Sequence, residues 1–346
     1  MNTIVSISLG DPGGIGPEIV LKSLIQSKRR NVKYILFGSF DVLSQQHRFL
    51  GSSLKIKSIF FKDINRKAIL SSKEILVFDP TTHPSFNKNQ IKFKPHKVVK
   101  AKEHSFNGQV ALDSVCWASH FCLKQVADVL VTAPLNKTAV KLIKPSFLGH
   151  TEYLQKITKS KKVSMMFVSE SIRLTLATIH VPLSGVSKLL SKKLIKEKIQ
   201  MTHQALRKFF GIKKPKIAVS CLNPHGDEFG VEEKKIIEPA IRESKQVPAV
   251  AGPIPGDEIF RELLNGDWDA IISMYHDQGL APFKALAFDS GVNLTLGLPF
   301  VRTSPDHGTA FDIAYKNKAQ SNSMLSAINL AVDLHKKMGS KKIIWS

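Results

Sequence analysis

Three histidines occupy the same kind of position in the sequence, each shortly after a run that predicts a strand. They are His180 after residues 173–179, His225 after 216–222 and His276 after 270–275. Imidazole is a common metal ligand, and three protein ligands leave positions open for substrate and water. Because ligands of open α/β sheets bind beyond the carboxyl ends of the strands, we expect the three rings to meet at one divalent ion. The alternative is three ordinary loop histidines, since spacings of tens of residues are not a metal motif in themselves.

A second set of residues offers donors for an anion. His150 and Thr151 stand at the start of a predicted helix, where side chains and backbone N–H groups favour a bound anion. Lys284, Asn293 and Arg302 lie beside a predicted strand edge or turn, and together supply the donors that a phosphate monoester requires. Individually, each of these residues is also typical of a protein surface, and Thr151 of a simple helix cap.

A glycine-rich turn follows the first predicted strand. Residues 10–18 read GDPGGIGPE, with Pro17 well placed at the first helical position. The glycines allow a ligand to approach the backbone closely, but the spacing differs from the GxGxxG dinucleotide fingerprint. A ligand-binding turn and a purely structural turn both fit this pattern.

The elements that must position these residues alternate between strands and helices, which predicts an α/β fold. The predicted strands are 3–9, 33–37, 74–78, 128–132, 163–168, 173–179, 216–222, 270–275 and 293–298. Helical spacing of apolar residues predicts amphipathic helices over 191–210, 232–245 and 323–337. Residues 108–126 are more apolar, which indicates a buried helix or a subunit contact.

Composition bounds the remaining possibilities. A chain of 346 residues predicts two lobes, and 3 cysteines without a CxxC pair argue against a disulfide framework. Neither a signal-peptide pattern nor an apolar run of about 20 residues is present, so we expect a cytoplasmic, non-membrane protein. The formal charge of +22 suggests polyanion binding, but the lysines are scattered without stacking aromatic residues, which favours a solvated surface over a nucleic-acid site.

Seven ordered motifs, taken together, resemble the 4-hydroxythreonine-4-phosphate dehydrogenase family of vitamin B6 biosynthesis. They are residues 10–18, TAPLNK at 132–137, GHTE at 149–152, HVPL at 180–183, NPH at 223–225, YHDQG at 275–279 and LPFVRTS at 298–304. The resemblance spans almost the whole chain. It implies a homodimer with the two-lobed isocitrate/isopropylmalate dehydrogenase-like α/β fold and an active site in the cleft between lobes. We expect residues 1–128 plus 285–346 to form the NAD-side lobe, and 129–284 the lobe with metal ligands and dimer contacts.

The resemblance also assigns roles to individual residues. It implies metal ligands at His180, His225 and His276, with one site per subunit shared across the dimer interface and Zn²⁺, Mg²⁺ or Co²⁺ as the ion. Substrate-binding positions are His150, Thr151, Lys284, Asn293 and Arg302, and acidic catalytic residues are Asp257 and Asp277. A loop that resembles the family's NAD-adenosine loop contributes His307, Gly308, Thr309 and Asp312. Two departures are Tyr315, where the family usually has glycine, and Gly256 before Asp257.

The reaction that the resemblance implies is oxidation of 4-phosphohydroxy-L-threonine by NAD, followed by loss of CO₂ to give 3-amino-2-oxopropyl phosphate. The residues do not choose between NAD and NADP or identify the metal. The nearest alternative is a relative that oxidises threonate or erythronate 4-phosphate. A metal-dependent phosphatase or aldolase, which would not need the NAD loop, and a nucleic-acid-binding protein, suggested by the charge, are alternatives from other classes.

Overall fold

The computed structural model describes residues 2–86, 97–339 and 343–345. Within these ranges the strands are, in chain order, β1 (Thr3–Ser8), β2 (Val32–Phe37), β3 (Ile56–Ser58), β4 (Ile75–Phe78), β5 (Val129–Thr132), β6 (Ser164–Val168), β7 (Arg173–Leu176), β8 (Ile217–Ser220), β9 (Val250–Ile254), β10 (Ala270–Ser273), β11 (Val292–Leu296) and β12 (Val301–Pro305).

The α-helices alternate with these strands. In the same ranges they are α1 (Gly16–Gln26), α2 (Phe40–Phe49), α3 (Arg66–Ser71), α4 (Ser105–Leu123), α5 (Lys137–Lys141), α6 (His150–Thr158), α7 (Leu183–Leu189), α8 (Lys192–Lys208), α9 (Glu238–Glu243), α10 (Gly256–Asn265), α11 (His276–Ala287) and α12 (Asn322–Met338). A π-helical turn, Glu233–Ile237, leads directly into α9. No helix within the described ranges combines the length and the apolar character that a membrane span requires.

The chain divides into two compact units made of interwoven segments. The first comprises Met1–Lys161 and Leu298–His335, and the second Lys162–Gly297 and Lys336–Ser346. We expected the division near residues 128 and 285 instead. Residues 129–161 belong to the first unit because β5 pairs with β1 and β12 and because α4 packs on α5 and α6. Residues 285–297 belong to the second because β11 pairs with β6.

The first unit contains a parallel sheet in the order β3-β4-β2-β1-β5-β12. Every residue of β1 is buried, as expected for a central parallel strand covered on both faces. Helix α4 packs on β1, β2 and β5, and 14 of its 19 residues are buried. The apolar sequence of this helix therefore reflects its burial, which is one of the two explanations that the sequence left open.

The second unit has strand order β11-β6-β7-β10-β8-β9, in which β6 runs antiparallel to both β11 and β7. Strands β7, β10, β8 and β9 are parallel to their neighbours. Alternate residues of the central strands enter separate cores. Ile272 packs with Ile195 and Ile199 of α8, whereas Ile271 packs with Phe283 of α11. The amphipathic prediction for α8 is confirmed, since its apolar stripe covers one face of this sheet.

Three strands were not predicted from the sequence. β3 has three residues at the sheet edge, none of them buried, β9 is an edge strand that contains Gly252 and Pro253, and β12 contains Arg302, Thr303 and Ser304. Each lacks the run of β-branched residues that marks the other strands. Pairing holds them in the sheets: β3 and β9 pair with the neighbouring strands β4 and β8, and β12 pairs with the remote β5.

Candidate active site

The three histidines of the second unit follow three neighbouring parallel strands. His180 follows β7, His276 is the first residue of α11 after β10, and His225 follows β8, while β10 pairs with both β7 and β8. Parallel strands present their carboxyl ends at the same edge of a sheet. The fold thus places the three histidine-bearing segments at one edge, as the sequence predicted.

Two of the three imidazoles lie close together. The ring centroids of His180 and His276 are 6.1 Å apart, with 40° between the ring planes. Two imidazoles bound to one ion have centroids about 5 to 6 Å apart when the metal–nitrogen bonds are about 2.0 Å. The observed 6.1 Å is slightly above this range, so a small rotation of either side chain would allow both rings to bind one ion.

His225 is exposed and has a different near neighbour. Its ring centroid is 6.1 Å from that of Phe229, and its backbone has φ +52°. Across the described part of one chain, no group of three or more His, Cys, Asp or Glu side chains is arranged to hold a metal ion. The set of three ligands, which we expected to be shared between subunits, remains a prediction.

The two acidic residues that we expected to act in catalysis differ in their surroundings. Asp277 accepts a 2.6 Å hydrogen bond at Oδ1 from Nδ1 of His276, and its side chain is 85% exposed. Carboxylates in this position orient a metal-binding imidazole and leave Nε2 for the ion. Asp257 lies in the exposed first turn of α10. That helix begins near Gln278, because a Cβ atom on Gly256 would lie 3.7 Å from Nε2 of Gln278.

The first unit contains several of the residues that we expected to bind an anion, in and after β5 and β12. Arg302 is only 2% exposed and donates a hydrogen bond to the hydroxyl of Thr132. His150 and the buried Thr151 begin α6, whose N-cap residue Gly149 provides no side-chain cap. The first N–H groups of this helix therefore have no cap from that residue, which suits anion binding.

Burial controls the charges in this cluster. It lowers the pKa of Arg302 to about 9, and the nearby Glu152 opposes this shift. Burial also lowers the pKa of His150 well below 6.5, with further contributions from Arg302 and Lys137. At neutral pH the arginine is thus charged and the histidine neutral. The Nε2 atom of His150 is buried and has no hydrogen-bond partner among the described residues, which leaves it available to a ligand.

Two further residues of this cluster were not singled out from the sequence. A Cβ atom on Gly149 would lie 3.7 Å from Nζ of Lys137 and 3.0 Å from Oε2 of Glu152, so these side chains flank the start of α6. Both belong to motifs that were recognised, but the sequence does not show that Lys137 faces position 149. Only the packing of α5 and α6 against α4 shows this.

The remaining predicted substrate-binding residues, Lys284 and Asn293, belong to the second unit. Asn293 lies in β11 with 7% exposure, and within the described part of the chain its Oδ1 atom has no hydrogen-bond partner. Lys284 is half-buried in α11. They are consequently in a different unit from His150, Thr151 and Arg302.

The loop expected to bind the cofactor contacts the glycine-rich turn of the first unit. The carbonyl of the buried Thr309 accepts a 3.0 Å hydrogen bond from the backbone N–H of Ile15. A Cβ atom on Gly14 would lie 2.9 Å from the same carbonyl, so this glycine permits the close approach. His307, Gly308 and Asp312 are exposed on the same loop.

Tyr315, the departure from the family pattern, closes this loop onto the turn. Its backbone has φ +63°, a region that glycine adopts readily and tyrosine rarely does. The hydroxyl donates a hydrogen bond to the carbonyl of Pro12, and the ammonium group of Lys100 lies 4.8 Å from the ring centroid. These contacts hold tyrosine in a conformation that favours glycine.

Asp11 of the same turn is an unanticipated buried acid. It is fully buried, and Oδ1 accepts a 2.8 Å hydrogen bond from the N–H of Gly13. Burial raises its pKa to about 7, although hydrogen bonds from the backbone of Gly13 and Asn136 oppose the shift. Its position in a glycine-rich turn gave no indication of this burial.

Comparisons with known proteins agree with these observations. A family model described as pyridoxal phosphate biosynthetic protein PdxA matches residues 30–331. A relative from Desulfosudis oleivorans named 4-hydroxythreonine-4-phosphate dehydrogenase is 37% identical over 95% of both chains. A relative from Salmonella typhimurium named D-threonate 4-phosphate dehydrogenase is 34% identical over 95% of this chain and 98% of its own.

A solved structure supports the same relationship. The crystal structure of 4-hydroxythreonine-4-phosphate dehydrogenase from Klebsiella pneumoniae matches with a TM-score of 0.82 and 32% identity, covering 97% of this chain and 98% of that one. The predicted α/β dehydrogenase fold class is thereby confirmed. By sequence and by fold, the chain belongs to the family of the pyridoxal phosphate biosynthetic protein PdxA.

Proposed function

We propose that this chain uses NAD to oxidise 4-phosphohydroxy-L-threonine to 2-amino-3-oxo-4-phosphooxybutanoate, which loses CO₂ to give 3-amino-2-oxopropyl phosphate for pyridoxal 5′-phosphate biosynthesis. Its family and the dehydrogenase names of its relatives support an oxidoreductase that acts on a CH–OH group. The structural observation that carries the proposal is the pairing of His180 with His276, 6.1 Å apart, beyond adjacent parallel strands.

Substrate binding is assigned to the buried cationic cluster and to two residues of the second unit. Arg302, His150 and Thr151 bind the phosphate group, and Lys284 and Asn293 supply further donors. The charged guanidinium of Arg302 provides charge-assisted hydrogen bonds, while the neutral His150 donates or accepts without adding charge. Binding of the phosphate group by these residues restricts the positions that the hydroxyl-bearing carbon of the substrate can occupy.

The histidines and acids are assigned to the reacting end of the substrate. When Zn²⁺, Mg²⁺ or Co²⁺ is bound by His180, His225 and His276, the ion supplies Lewis-acid polarisation of the hydroxyl group and then of the ketone. Asp277 orients His276 through its 2.6 Å hydrogen bond. Asp257 or Asp277 would accept the hydroxyl proton, and bound NAD would supply the acceptor for the C3 hydride.

Cofactor binding is assigned to the loop bound to the glycine-rich turn. His307, Gly308, Thr309 and Asp312 are the proposed adenosine-side contacts. The hydrogen bond from the N–H of Ile15 to the carbonyl of Thr309 attaches this loop to the turn. NAD is the proposed cofactor, and NADP is the alternative. Tyr315 follows this loop and is hydrogen-bonded to the turn through the carbonyl of Pro12.

A second copy of the chain is the proposed partner. Around the His225 segment and α7, the side chains of Leu183, Phe229 and Val231 are 69%, 69% and 55% exposed. A hydrogen bond from Ser187 to Glu232 joins these two segments. Neighbouring exposed apolar side chains are typical of interaction surfaces. A dimer contact at these two segments would bring residues of the partner subunit beside the histidines. Cys116, Cys122 and Cys221 form no disulfide within the described ranges, which is consistent with the cytoplasmic location that we infer.

One relative supports a second candidate function within the family. Its printed name is D-threonate 4-phosphate dehydrogenase, and it is 34% identical to this chain over nearly its full length. Its named substrate also combines a hydroxyl group with a phosphate. The two functions differ in the amino group of the substrate, which only the 4-phosphohydroxy-L-threonine enzyme must accommodate. The dehydrogenase names favour both over a phosphatase, an aldolase or a nucleic-acid-binding protein.

A direct assay tests the proposal. Purified protein is stripped of metal with a chelator, and NADH formation is measured with 4-phosphohydroxy-L-threonine and, separately, with D-threonate and D-erythronate 4-phosphates. We expect activity to disappear on chelation, to return with a divalent ion and to give the highest kcat/KM with 4-phosphohydroxy-L-threonine. Activity that is indifferent to chelation removes the ion from the mechanism. A higher kcat/KM with threonate or erythronate 4-phosphate would instead assign that compound as the substrate.

A further inference from the structure

The side-chain amide of Gln278 joins two of the histidine-bearing segments of the second unit. Its Oε1 atom accepts a 2.7 Å hydrogen bond from the N–H of Met274, and its Nε2 atom donates a 2.6 Å hydrogen bond to the carbonyl of Cys221. Met274 lies between β10 and His276, and Cys221 lies between β8 and His225. One amide group thus spans the backbones that lead into both histidines.

Glu233 holds the next two residues of the His225 segment. It is fully buried, and Oε1 accepts hydrogen bonds from the N–H groups of Leu222 and Asn223 at 2.8 and 2.9 Å. Its Oε2 atom accepts a third, at 2.9 Å, from the amide of Asn223. Glu233 begins a π-helical turn, a rare geometry that is frequent near functional sites. All three donors therefore lie just before Pro224 and His225.

The His180 segment is hydrogen-bonded to the same Met274 residue that Gln278 contacts. Both the N–H and the hydroxyl of Thr178 donate to the carbonyl of Met274, at 3.1 and 2.7 Å. Thr178 lies two residues before His180. Hydrogen bonds therefore run from the His180 segment through Met274 and Gln278 to Cys221 and the His225 segment.

We propose that Gln278 and Glu233 are positioning residues that fix the His225 segment relative to the His276 segment, and so set the geometry in which a divalent ion is bound. The inference rests on the proposed function, in which His225 and His276 are ligands. The positive φ of His225 supports it, because a non-glycine residue holds that conformation only when its surroundings determine it. Residues that orient metal ligands in this way typically change metal affinity 10- to 100-fold when altered.

The test measures Co²⁺ binding rather than turnover. Metal-stripped wild-type protein and the variants Gln278→Ala, Glu233→Gln and His225→Ala are titrated with Co²⁺, and binding is followed by calorimetry and by the visible absorption of the bound ion. We expect His225→Ala to lose tight binding. Gln278→Ala and Glu233→Gln should retain a site that binds Co²⁺ about 10- to 100-fold more weakly, with an altered spectrum.

A matched control separates positioning from general effects of altering a buried acid. Glu18 is likewise buried, and it accepts hydrogen bonds from Lys22 and from the N–H of Ala319 in the first unit. Glu18→Gln should leave Co²⁺ affinity unchanged. Thermal melting of each metal-free variant shows whether it is folded. If Glu233→Gln does not fold, Gln278→Ala decides, because it removes two hydrogen bonds from a half-buried site without burying a new polar group.

Different outcomes of this experiment overturn the positioning role and the ligand assignment. Loss of Co²⁺ binding in His225→Ala, combined with wild-type affinity and spectrum in folded Gln278→Ala and Glu233→Gln, overturns the positioning role but keeps the histidine assignment. Wild-type binding in His225→Ala overturns the ligand assignment, and the positioning role with it. Equal weakening in Glu18→Gln also overturns the positioning role, because the effect is then not local.

Discussion

The imidazole rings of His180 and His276 lie 6.1 Å apart between centroids, although the two residues are far apart in the sequence. They meet because β7 and β10 are parallel neighbours, with Leu176 opposite Ser273 at the ends from which both segments leave the sheet. The backbone of Thr178 then binds the carbonyl of Met274, which keeps the segments together beyond the strands. Strand pairing thus sets the separation of the two rings.

Replacing either ring should abolish metal-dependent oxidation. We expect His180→Ala and His276→Ala to lower kcat for NADH formation at least about 100-fold, since each removes one of the proposed ligands. His203→Ala, which removes a buried histidine from α8, should retain activity near the wild-type level. Steady-state kinetics after reconstitution with a divalent ion provide the measurement. Near-normal kcat in His180→Ala would contradict the proposed site.

Removing the buried guanidinium should mainly weaken substrate binding. Because Arg302 is proposed to hold the phosphate throughout the reaction, Arg302→Met should raise KM for the phosphorylated substrate about 10- to 100-fold with a smaller change in kcat. Methionine fills part of the buried volume without charge. Arg173→Met, which removes a half-buried arginine from β7 of the other unit, is the control and should leave KM unchanged. An unchanged KM in Arg302→Met rejects the phosphate role.

Asp11 should make stability depend on pH. Burial raises its folded-state pKa from 3.8 to about 7, so between these values the folded protein holds a proton that the unfolded chain releases. Stability should therefore decrease as pH rises from about 4 to 7, by at most on the order of 4 kcal/mol from this group. The variant Asp11→Asn has no ionisable group at this position, so this contribution to the pH dependence of stability should disappear.

Urea unfolding at pH 5 and pH 8 measures this effect. The free energy of unfolding of Asp11→Asn, relative to the wild type, should be higher at pH 8 than at pH 5. Asp63→Asn, at an exposed position, should show no such change. A difference between Asp11→Asn and wild type that is equal at both pH values would show that Asp11 does not titrate in this range.

Two glycines with positive φ should respond differently to alanine. A Cβ atom on Gly10 would lie 2.1 Å from the carbonyl oxygen of Pro134, whereas one on Gly51 would meet no atom within 4 Å. Both substitutions incur the cost of alanine in a left-handed conformation, about 1 to 2 kcal/mol. Gly10→Ala should lose about 3 kcal/mol or more, because the turn must also move. Equal losses in denaturant unfolding would contradict the close approach.

Local pattern determined much of the fold. The apolar, β-branched runs predicted the strands before His180, His225 and His276, and these strands form, although each ends two or three residues earlier than expected. Helical periodicity likewise predicted α8 and α12 to within two residues. These features depend on short-range burial, which alternating or helical spacing records directly. The motif residues of both clusters could also be named from the sequence, through their resemblance to a family.

Only the tertiary structure decided which of these residues meet. The order β7-β10-β8 and the burial of Arg302 against Thr132 depend on partners remote in sequence. The three hydrogen bonds accepted by Glu233 depend on the fold of a shorter segment, which brings Leu222 and Asn223 beside it. Glu233 lies on a predicted amphipathic helix, where a charged residue is ordinarily expected to face solvent, so nothing local indicated its burial. The sequence alone determined which side chains are available for chemistry and which segments form strands and helices. Long-range strand pairing and packing determined their distances and charges, because these depend on the groups that folding brings beside them.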